Sequence, residues 1–403
     1  MSRLDELIAE LCPDGVPFKK IKEVYTRIKG TPITASKMKE IEDPDGEIRI
    51  FAGGKTVINA REHNIPNANI TRVPAVLVQS RGVIDAVYYD KPFTFKNELW
   101  AYTNESQISV KYLYYVLKNN VEYFRAAASG MGSLPQISLP VTEDFIVPIP
   151  PLPVQQEIVR ILDHFTELTA ELTAELTAEL TARKKQYEYY LSREFTVLNA
   201  PILKIGEITS VFSAARVHKN EWKTEGVPFF RSSDVISSFG GVENSRGKAF
   251  ISFELYENLS AKSGKVKKGD LLITGGGTIG IPYLVPNDEP LYMKDADLLC
   301  IQKNDSVLSE FLYFYFLTPQ FRDYLANITH DATIPHYTIE QIKKTPIPVP
   351  SQKEQEKVVN TISRFFNLCN DLSSGLPAEI AARQKQYEYY RDKLLTFKEL
   401  PKS

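Results

Sequence analysis

Apolar residues fall every four positions at Leu168, Leu172, Leu176 and Leu180, with Phe165 three residues earlier. The residues between them repeat the unit Thr-Ala-Glu-Leu three times from Thr169 to Leu180. This spacing predicts one face of an α-helix. A helix turns every 3.6 residues, so a strict four-residue step drifts by about 40° per unit. The 3-4-4 spacing resembles an eleven-residue repeat, which predicts a nearly straight or slightly right-handed pairing. Leu368, Leu372, Leu376 and Ile380 keep the same register 200 residues later. Two helices of matched length, beginning near Val154 and Glu354, are therefore each other's natural partner and predict an intramolecular antiparallel pair. Gly375 and Pro377 weaken the middle of the second helix and predict a kink there.

The 200-residue offset extends beyond the leucines. Arg183-Lys-Lys-Gln-Tyr-Glu-Tyr-Tyr190 returns as Arg383-Gln-Lys-Gln-Tyr-Glu-Tyr-Tyr390, matching at seven of eight positions. Pro148, Pro150, Gln155 and Val159 recur as Pro348, Pro350, Gln355 and Val359, and Ser133-Leu134-Pro135 faces Thr333-Ile334-Pro335. Near the front of each half the offset becomes 184: Pro17, Lys20 and Ile21 echo Pro201, Lys204 and Ile205. The chain is thus a duplication, each half a globular module followed by a helix. In the modules, Val73 to Tyr89 is apolar around an Arg81-Gly82 turn and predicts a hairpin. Its counterpart runs from Asp270 to Val285 with Gly275-Gly276-Gly277 at the turn. Each hairpin precedes a lysine pair, Lys96-Asn97 or Lys294-Asp295, and then an aromatic helix over 110–117 or 310–317. The expected fold is α+β: two similar mixed modules, 1–150 and 200–350, joined by helices over 151–199 and 351–403 that form an antiparallel coiled coil with pseudo-two-fold symmetry. Prolines 148, 150, 151 and 153, and 346, 348 and 350, stiffen the entry to each helix.

Composition narrows the function. At 403 residues the chain exceeds one ordinary core and suits two domains plus extra helix. Cys12, Cys300 and Cys369 are far apart in no ligand spacing, which argues for a reducing compartment and against a disulfide framework or a zinc site. The charged, amphipathic N-terminus does not read as a signal peptide, and the longest apolar run, Phe311 to Leu317, is far short of a membrane span. A cytoplasmic protein is expected. The net charge of −2 means that any nucleic-acid binding must draw much of its positive surface from a partner.

Catalytic chemistry is not evident. Gly275-Gly-Gly-Thr-Ile-Gly280 matches Gly-x-Gly-x-x-Gly after a strand-like run, but a dinucleotide site needs a helix next, and Pro282 and Pro286 follow. A glycine turn that allows close approach of a ligand or DNA backbone fits better. His330 and His336 are the nearest histidine pair and read as loop residues rather than metal ligands. No nucleophile triad, methyltransferase or helicase motif stands out. What remains is polar and cationic residues on turns. The first module offers Lys55, Arg61, Arg72, Arg81, Lys96 and Asn97. The second offers Arg216, Lys219, Arg231, Ser232, Thr278, Lys294 and His336, besides Lys265, Lys267 and Lys268. Arg and Lys pair with guanine edges and Asn with adenine, so these are the DNA-binding candidates. Tyr187, Tyr190, Tyr387 and Tyr390 are candidates for packing the helices or docking a partner, because aromatic side chains with polar tips suit interfaces.

These residues resemble a known family. The hinge Pro148-Ile-Pro-Pro-Leu-x-x-Gln-Gln-Glu-Ile-Val159, the run Gly269-Asp-Leu-Leu-Ile273 before the glycine turn, and Val227-Pro-Phe-Phe-Arg-Ser-Ser-Asp234 are similar to the specificity subunit of type I restriction–modification enzymes. The Thr-Ala-Glu-Leu units resemble the type IC subgroup. The resemblance implies two target-recognition domains, each reading half of a split, asymmetric target in double-stranded DNA. It implies helices that bind two modification (methyltransferase) subunits, and two restriction (motor and nuclease) subunits in the cleaving complex. S-adenosylmethionine, ATP and Mg would sit on those partners, leaving this chain without cofactor, metal or catalytic residue. Two other readings remain at this level: a stand-alone nucleotide-binding enzyme using the 275–280 loop, or a coiled-coil scaffold. Under the family reading the leucine beat acts as a ruler for the spacer between half-sites.

Overall fold

The computed structural model describes residues 2–129, 134–240, 248–329, 336–370 and 375–401, with the side chains of 239 and 240 left aside. Ser133, His330 and Thr333-Ile334-Pro335 lie outside the described residues. The chain forms two compact units, residues 1–174 with 381–403, and residues 175–380.

Among the described residues the first module has nine strands: β1 (Phe18–Lys20), β2 (Thr26–Ile28), β3 (Ile48–Phe51), β4 (Val57–Ala60), β5 (Ala75–Gln79), β6 (Asp85–Tyr89), β7 (Phe93–Phe95), β8 (Trp100–Thr103) and β9 (Ile146–Pro148). They form sheets ordered β1-β9, β2-β8-β5-β6 and β4-β3-β7. The second module repeats the set: β10 (Ile202–Lys204), β11 (Val211–Ser213), β12 (Val227–Phe230), β13 (Phe250–Ile251), β14 (Leu271–Thr274), β15 (Pro282–Leu284), β16 (Tyr292–Met293), β17 (Leu298–Ile301) and β18 (Pro346–Pro348). Its sheets are ordered β10-β18, β11-β17-β14-β15 and β13-β12-β16. Strand for strand the topology is the same, down to a parallel pairing in each module, β3 with β7 and β12 with β16. The expected hairpins are present, with Ala75 opposite Tyr89 and Leu271 opposite Leu284. β5 and β14 are buried at every position, which is why their sequences, AVLVQ and LLIT, are almost continuously apolar rather than alternating.

The aromatic helices, Gln107–Asn119 and Ser309–Leu317, cover one face of the four-stranded sheets. A proline hinge then leads into a helix, and its geometry explains the recurrent glutamine. Gln155 donates its side-chain N–H to the Pro150 carbonyl at 2.8 Å, and Gln355 donates to the Pro350 carbonyl at 2.9 Å. The helical ladder starts one residue later, at the Pro151 and Ser351 carbonyls, so the Pro150 and Pro350 carbonyls lie outside it and a buried amide supplies their donor.

The first helix runs unbroken over Leu152–Thr196. Its start packs on the first module: Val154, Ile158 and Leu162 are buried with Tyr112, Leu113 and Val116. Its end packs on the second module, where Leu191 and Phe195 join Phe311, Tyr315 and Phe316. Burying each such side chain contributes about 1.5–3 kcal/mol. The second helical segment is described as Gln352–Asn370 and Leu376–Leu395. Residues 371–374 fall outside the description, so the expected kink at Gly375 lies at its border. Val358 and Ile362 are buried in the second unit, and Leu395 in the first. Each unit therefore holds a module, the beginning of the helix that follows it and the end of the other helix. Within each unit the two helices run antiparallel: Phe165 meets Tyr390 and Thr166 meets Tyr387 in the first, while Tyr190 meets Phe365 and Tyr187 meets Phe366 in the second. The leucine seam is shallow. Leu168 is 46% exposed, and Leu172, Leu176 and Leu180 are half-buried. No described helix is long and apolar enough to cross a membrane.

Candidate nucleic-acid interface

In the first module three connections meet at one edge of the sheets. The turn after β3 closes with the Ala52 N–H donating to the Thr56 carbonyl at 3.0 Å. Gly54, at φ +73°, donates its N–H to the Arg81 carbonyl at 3.0 Å in the β5–β6 turn. A side chain at Gly82 would bring a Cβ to 3.3 Å from the Gly54 backbone, so glycine is what lets the two turns touch. Gly82 in turn donates to the Pro135 carbonyl at 2.9 Å. The third connection, after β7, carries Lys96, Asn97 and Glu98. The Glu98 carboxylate accepts the Gly53 N–H at 3.2 Å and pairs with Lys96 at 3.0 Å. The fold thus gathers Lys55, Arg81, Lys96 and Asn97 at one edge. Asn97 also borders a cleft of about 430 Å³ with Arg27, Lys29, Asn69 and Trp100.

The second module repeats this edge with different side chains. The Gly275–Gly280 loop is a tight turn: Gly280 donates to the Thr274 carbonyl at 2.7 Å, and the Thr274 hydroxyl donates to the Thr278 carbonyl at 2.6 Å. Strand β15 follows it, not a helix, so no helix N-terminus faces a pyrophosphate there and the dinucleotide reading loses its structural basis. Gly275 donates to the Asp297 carbonyl at 2.8 Å, and Tyr337 donates to the Gly275 carbonyl at 2.9 Å. Asp297 pairs with Lys294 at 2.7 Å, and its carbonyl accepts the Ser232 hydroxyl at 2.9 Å. Ala296 between them has φ +57°, a left-handed conformation that costs a non-glycine residue of order 1 kcal/mol and is found at functional loops. Thr278 and His336 are exposed on this edge, His336 immediately before Tyr337.

The candidate cations divide by their surroundings. Lys55, Arg81, Arg216 and Lys219 are exposed and make no ion pair with a described residue. Lys96 and Lys294 are held by Glu98 and Asp297. With 21–37% of these side chains exposed, such pairs contribute about 0–1 kcal/mol. Arg61 and Arg72 are not part of the edge. Arg61 pairs with Asp43 at 2.7 Å and Arg72 with Glu62 at 2.6 Å, beyond the far end of β4, roughly 13 Å along the strand from the turn. Arg231 is 7% exposed, bound to Asp234 at 2.9 Å, with its guanidinium 5.8 Å from the Trp222 ring centroid. It holds the module together and presents nothing to a ligand. The acids Glu98 and Asp297 were not among the sequence candidates. Their signal was available: Glu98 lies two residues after Lys96 and Asp297 three after Lys294. Arg49, exposed on β3 and lying 6.0 and 5.7 Å from the Phe51 and Tyr89 ring centroids, left no signal in the sequence.

The four candidate tyrosines pack helix against helix. Tyr190 stacks on Phe365 at 4.9 Å and Tyr187 lies 5.8 Å from Phe366, while Tyr390 lies 6.0 Å from Phe165 and the Tyr387 hydroxyl is 3.0 Å from that of Thr166. The more outward tyrosines are the neighbours, Tyr189 at 60% and Tyr389 at 64% exposed, although Tyr390 keeps 41% of its surface in solvent. Helical periodicity accounts for this, since residues three apart share a face and the one between points away. Among the described residues no three His, Cys, Asp or Glu side chains are grouped to hold a metal.

The family model described as the type I restriction modification DNA specificity domain matches residues 13–182 and again 201–382. The chain is 34% identical over 313 residues to a putative type I restriction enzyme specificity subunit of Haemophilus influenzae, S.HindORF215P, covering 76% of this chain and 77% of that one. It is 29% identical over 308 residues to the EcoR124I/EcoR124II specificity subunit of Escherichia coli, covering 73% and 72%. Among solved structures, a chain from a study of complex assembly and conformational transition of the type I R-M system aligns with a TM-score of 0.62 at 16% identity, covering 96% of this chain and 98% of that one. The HsdS subunit of Thermoanaerobacter tengcongensis aligns with a TM-score of 0.51 at 14% identity, covering 96% and 99%. At these identities the two structures speak to the fold alone.

Proposed function

This chain belongs to the family of type I restriction–modification DNA specificity subunits, and from that premise we propose that it reads a split, asymmetric sequence in double-stranded DNA, one half with each module. The observation that carries this reading is the repeated edge. Two modules of identical topology present glycine turns and lysine–acid pairs in the same place, but with different side chains around them. Identical frames suit two contacts on one duplex, and divergent edges suit two different half-sites. Lys55, Arg81, Lys96 and Asn97 are the proposed contacts in the first module, and Thr278, Lys294 and His336 with Arg216 and Lys219 in the second; Ser232, 9% exposed with its hydroxyl bonded to the Asp297 carbonyl, shapes the edge instead. The guanidinium and ammonium groups serve guanine edges or phosphates, and Asn97 serves adenine.

A net charge of −2 supplies little of the counterion release that drives DNA affinity. Partner subunits are therefore proposed to complete the DNA-clasping surface: two modification subunits carrying S-adenosylmethionine, and in the cleaving assembly two restriction subunits carrying ATP and Mg. This chain is proposed to be the non-catalytic member, acting in the cytoplasm. The outward Tyr189 and Tyr389 join the helix-packing tyrosines as candidate docking positions.

Methylome sequencing of cells carrying this chain with its modification partner tests the proposal. The expected result is adenine methylation in a bipartite, non-palindromic motif; an unsplit motif, or none, overturns it. A stand-alone nucleotide-binding enzyme would instead show nucleotide affinity lost in Gly277→Trp. A pure scaffold would give no mobility shift of DNA even with the modification subunit present.

A further inference from the structure

We propose, on the strength of the DNA-reading role above, that Asp295 recognises a cytosine through its exocyclic amine in the half-site of the second module. It does so at the loop position where the first module places Asn97.

Hydrogen bonds, not sequence identity, make the two loops equivalent. The residue after each parallel strand donates its N–H to the end of the neighbouring strand: Lys96 to the Phe51 carbonyl at 2.9 Å, and Lys294 to the Phe230 carbonyl at 2.8 Å. Each lysine carbonyl then accepts the N–H of a buried leucine, Leu99 at 2.9 Å and Leu298 at 3.1 Å. Each lysine ammonium pairs with the acid just before that leucine, Glu98 or Asp297. Each acid in turn accepts from a glycine N–H of a neighbouring turn, Gly53 to the Glu98 carboxylate and Gly275 to the Asp297 carbonyl. Within this shared frame the first module has Asn97 alone between lysine and acid, and the second has Asp295 and Ala296. The frame residues are occupied with one another. Asn97 is exposed and Asp295 half-buried, and neither side chain has a hydrogen-bond or ion-pair partner among the described residues.

Base chemistry then selects the ligand. In the major groove guanine shows two acceptors, thymine an acceptor and a methyl group, adenine an amine beside an acceptor, and cytosine an amine without one. A carboxylate only accepts. Guanine, thymine and the phosphates therefore oppose it, and the adenine N7 opposes its second oxygen. Cytosine meets it without an opposing lone pair. The Asn97 amide both donates and accepts, which suits adenine. A desolvated carboxylate left unmet costs more than an unmet amide, so Asp295 works chiefly by rejecting wrong bases.

The test is methylome sequencing of cells carrying the full chain with its modification partner, as wild type, Asp295→Asn, Asp295→Ala and Asn97→Asp. Glu254→Gln is the control: Glu254 is exposed and follows Ile251, which pairs with Val227 at the far end of β12 from Phe230. The wild type is expected to show an invariant C·G pair in the second half-site. Asp295→Asn should turn that pair toward A·T and Asp295→Ala should relax it, with the first half-site unchanged and Glu254→Gln silent. In mobility shifts with the modification subunit, duplexes differing at that pair should separate by about tenfold or more for the wild type and by about threefold or less for Asp295→Ala. Asn97→Asp should move one position of the first half-site from A·T to C·G, an independent reading should the Asp295 variants fold poorly. A split motif unchanged by all three substitutions, or a second half-site without a C·G pair, overturns the inference and leaves the proposed function standing. Affinity lost equally for every duplex in Asp295→Ala marks a structural role and also overturns it. Absence of any split motif overturns both.

Discussion

The two units carry the same strands in the same order, yet they join their modules to the helices by different chemistry. In the first unit the seam is polar. Asp163 accepts from Lys111 at 2.7 Å and from the Tyr115 hydroxyl at 2.6 Å, and Asn119 is bonded to both Arg391 and Asp392. In the second unit the positions 200 residues on from Lys111 and Asp163 are Phe311 and Ser363. The seam there is aromatic, with Phe195 on Phe311 at 4.9 Å and Phe366 meeting Tyr187, Tyr313 and Phe314 at 5.7 to 6.0 Å. Cavities of about 590 and 270 Å³ lie along it, and one of about 210 Å³ lies beside Phe165, Leu168 and Tyr390 in the first unit. Hydrogen bonds are directional and are completed pairwise, whereas rings pack edge to face over a larger apolar area. A duplicated fold thus tolerates opposite solutions at one joint, provided each covers the same backbone.

That comparison can be pressed hardest at the helix that both units share. Deleting Thr173–Leu176 removes about 6 Å and about 40° of helix. One DNA base pair rises about 3.4 Å and turns by roughly 34–36°, at about 10–10.5 pairs per turn. The expected methylome keeps both half-sites and loses one base pair of spacer; an altered half-site with an unaltered spacer refutes the ruler. At the seams, Phe366→Ala enlarges existing cavities and is expected to destabilise the second unit by about 2–3 kcal/mol. Asp163→Ala strands a lysine and a tyrosine, but these groups are about one-third exposed, so about 1–2 kcal/mol is expected in the first unit. Denaturant melts resolve the two, and equal costs in reversed units would break the contrast.

A smaller effect separates the paired tyrosines. Tyr387→Phe gives up the bond to Thr166 and is expected to cost about 0.5 kcal/mol, whereas Tyr187→Phe removes a buried hydroxyl without a partner and is expected to be neutral or stabilising. Equal losses on thermal melting would mean that the Tyr187 hydroxyl is satisfied in solution.

The smallest effect is in acid. In the first unit, the Ser2 and Asp45 N–H groups hold Asp5 and Asp43 below the ordinary carboxyl range, the Glu62 N–H does so for Glu47, Lys22 for Asp144 and Arg160 for Glu157. Among the described residues of the second unit only Glu354 is so held, by Ser351. A depressed folded-state pKa contributes stability that is present above the unfolded value, about 4, and lost as the pH falls through the folded one. The first unit should therefore loosen at the higher pH. Trp100 and Trp222 report one unit each, so fluorescence of Trp222→Phe and Trp100→Phe through an acid titration reads the two transitions separately. Coincident midpoints would remove this difference.

Much of this was legible because it is local. The leucine step, the proline entry with its glutamine and the apolar runs of β5 and β14 each follow from a period or a turn within a few residues, and the repeat at 200 residues exposes the duplication directly. The edge of each module was half legible. Glycines mark where turns touch, but whether Arg81 is displayed, Arg61 neutralised or Arg231 buried depends on Asp43, Asp234 and Trp222. Nothing in the period of the chain announces those partners. The tyrosine motif was half legible for a related reason: it names a cluster, and only the packed partner helix decides that Tyr190 turns in and Tyr189 out. The sequence by itself determined two copies of one frame and a helix of set length between them, because backbone hydrogen bonding and apolar periodicity are near-neighbour properties. The tertiary structure alone decided which charges remain available and which hydroxyls go unmet, because burial and ion pairing depend on residues far apart in the chain.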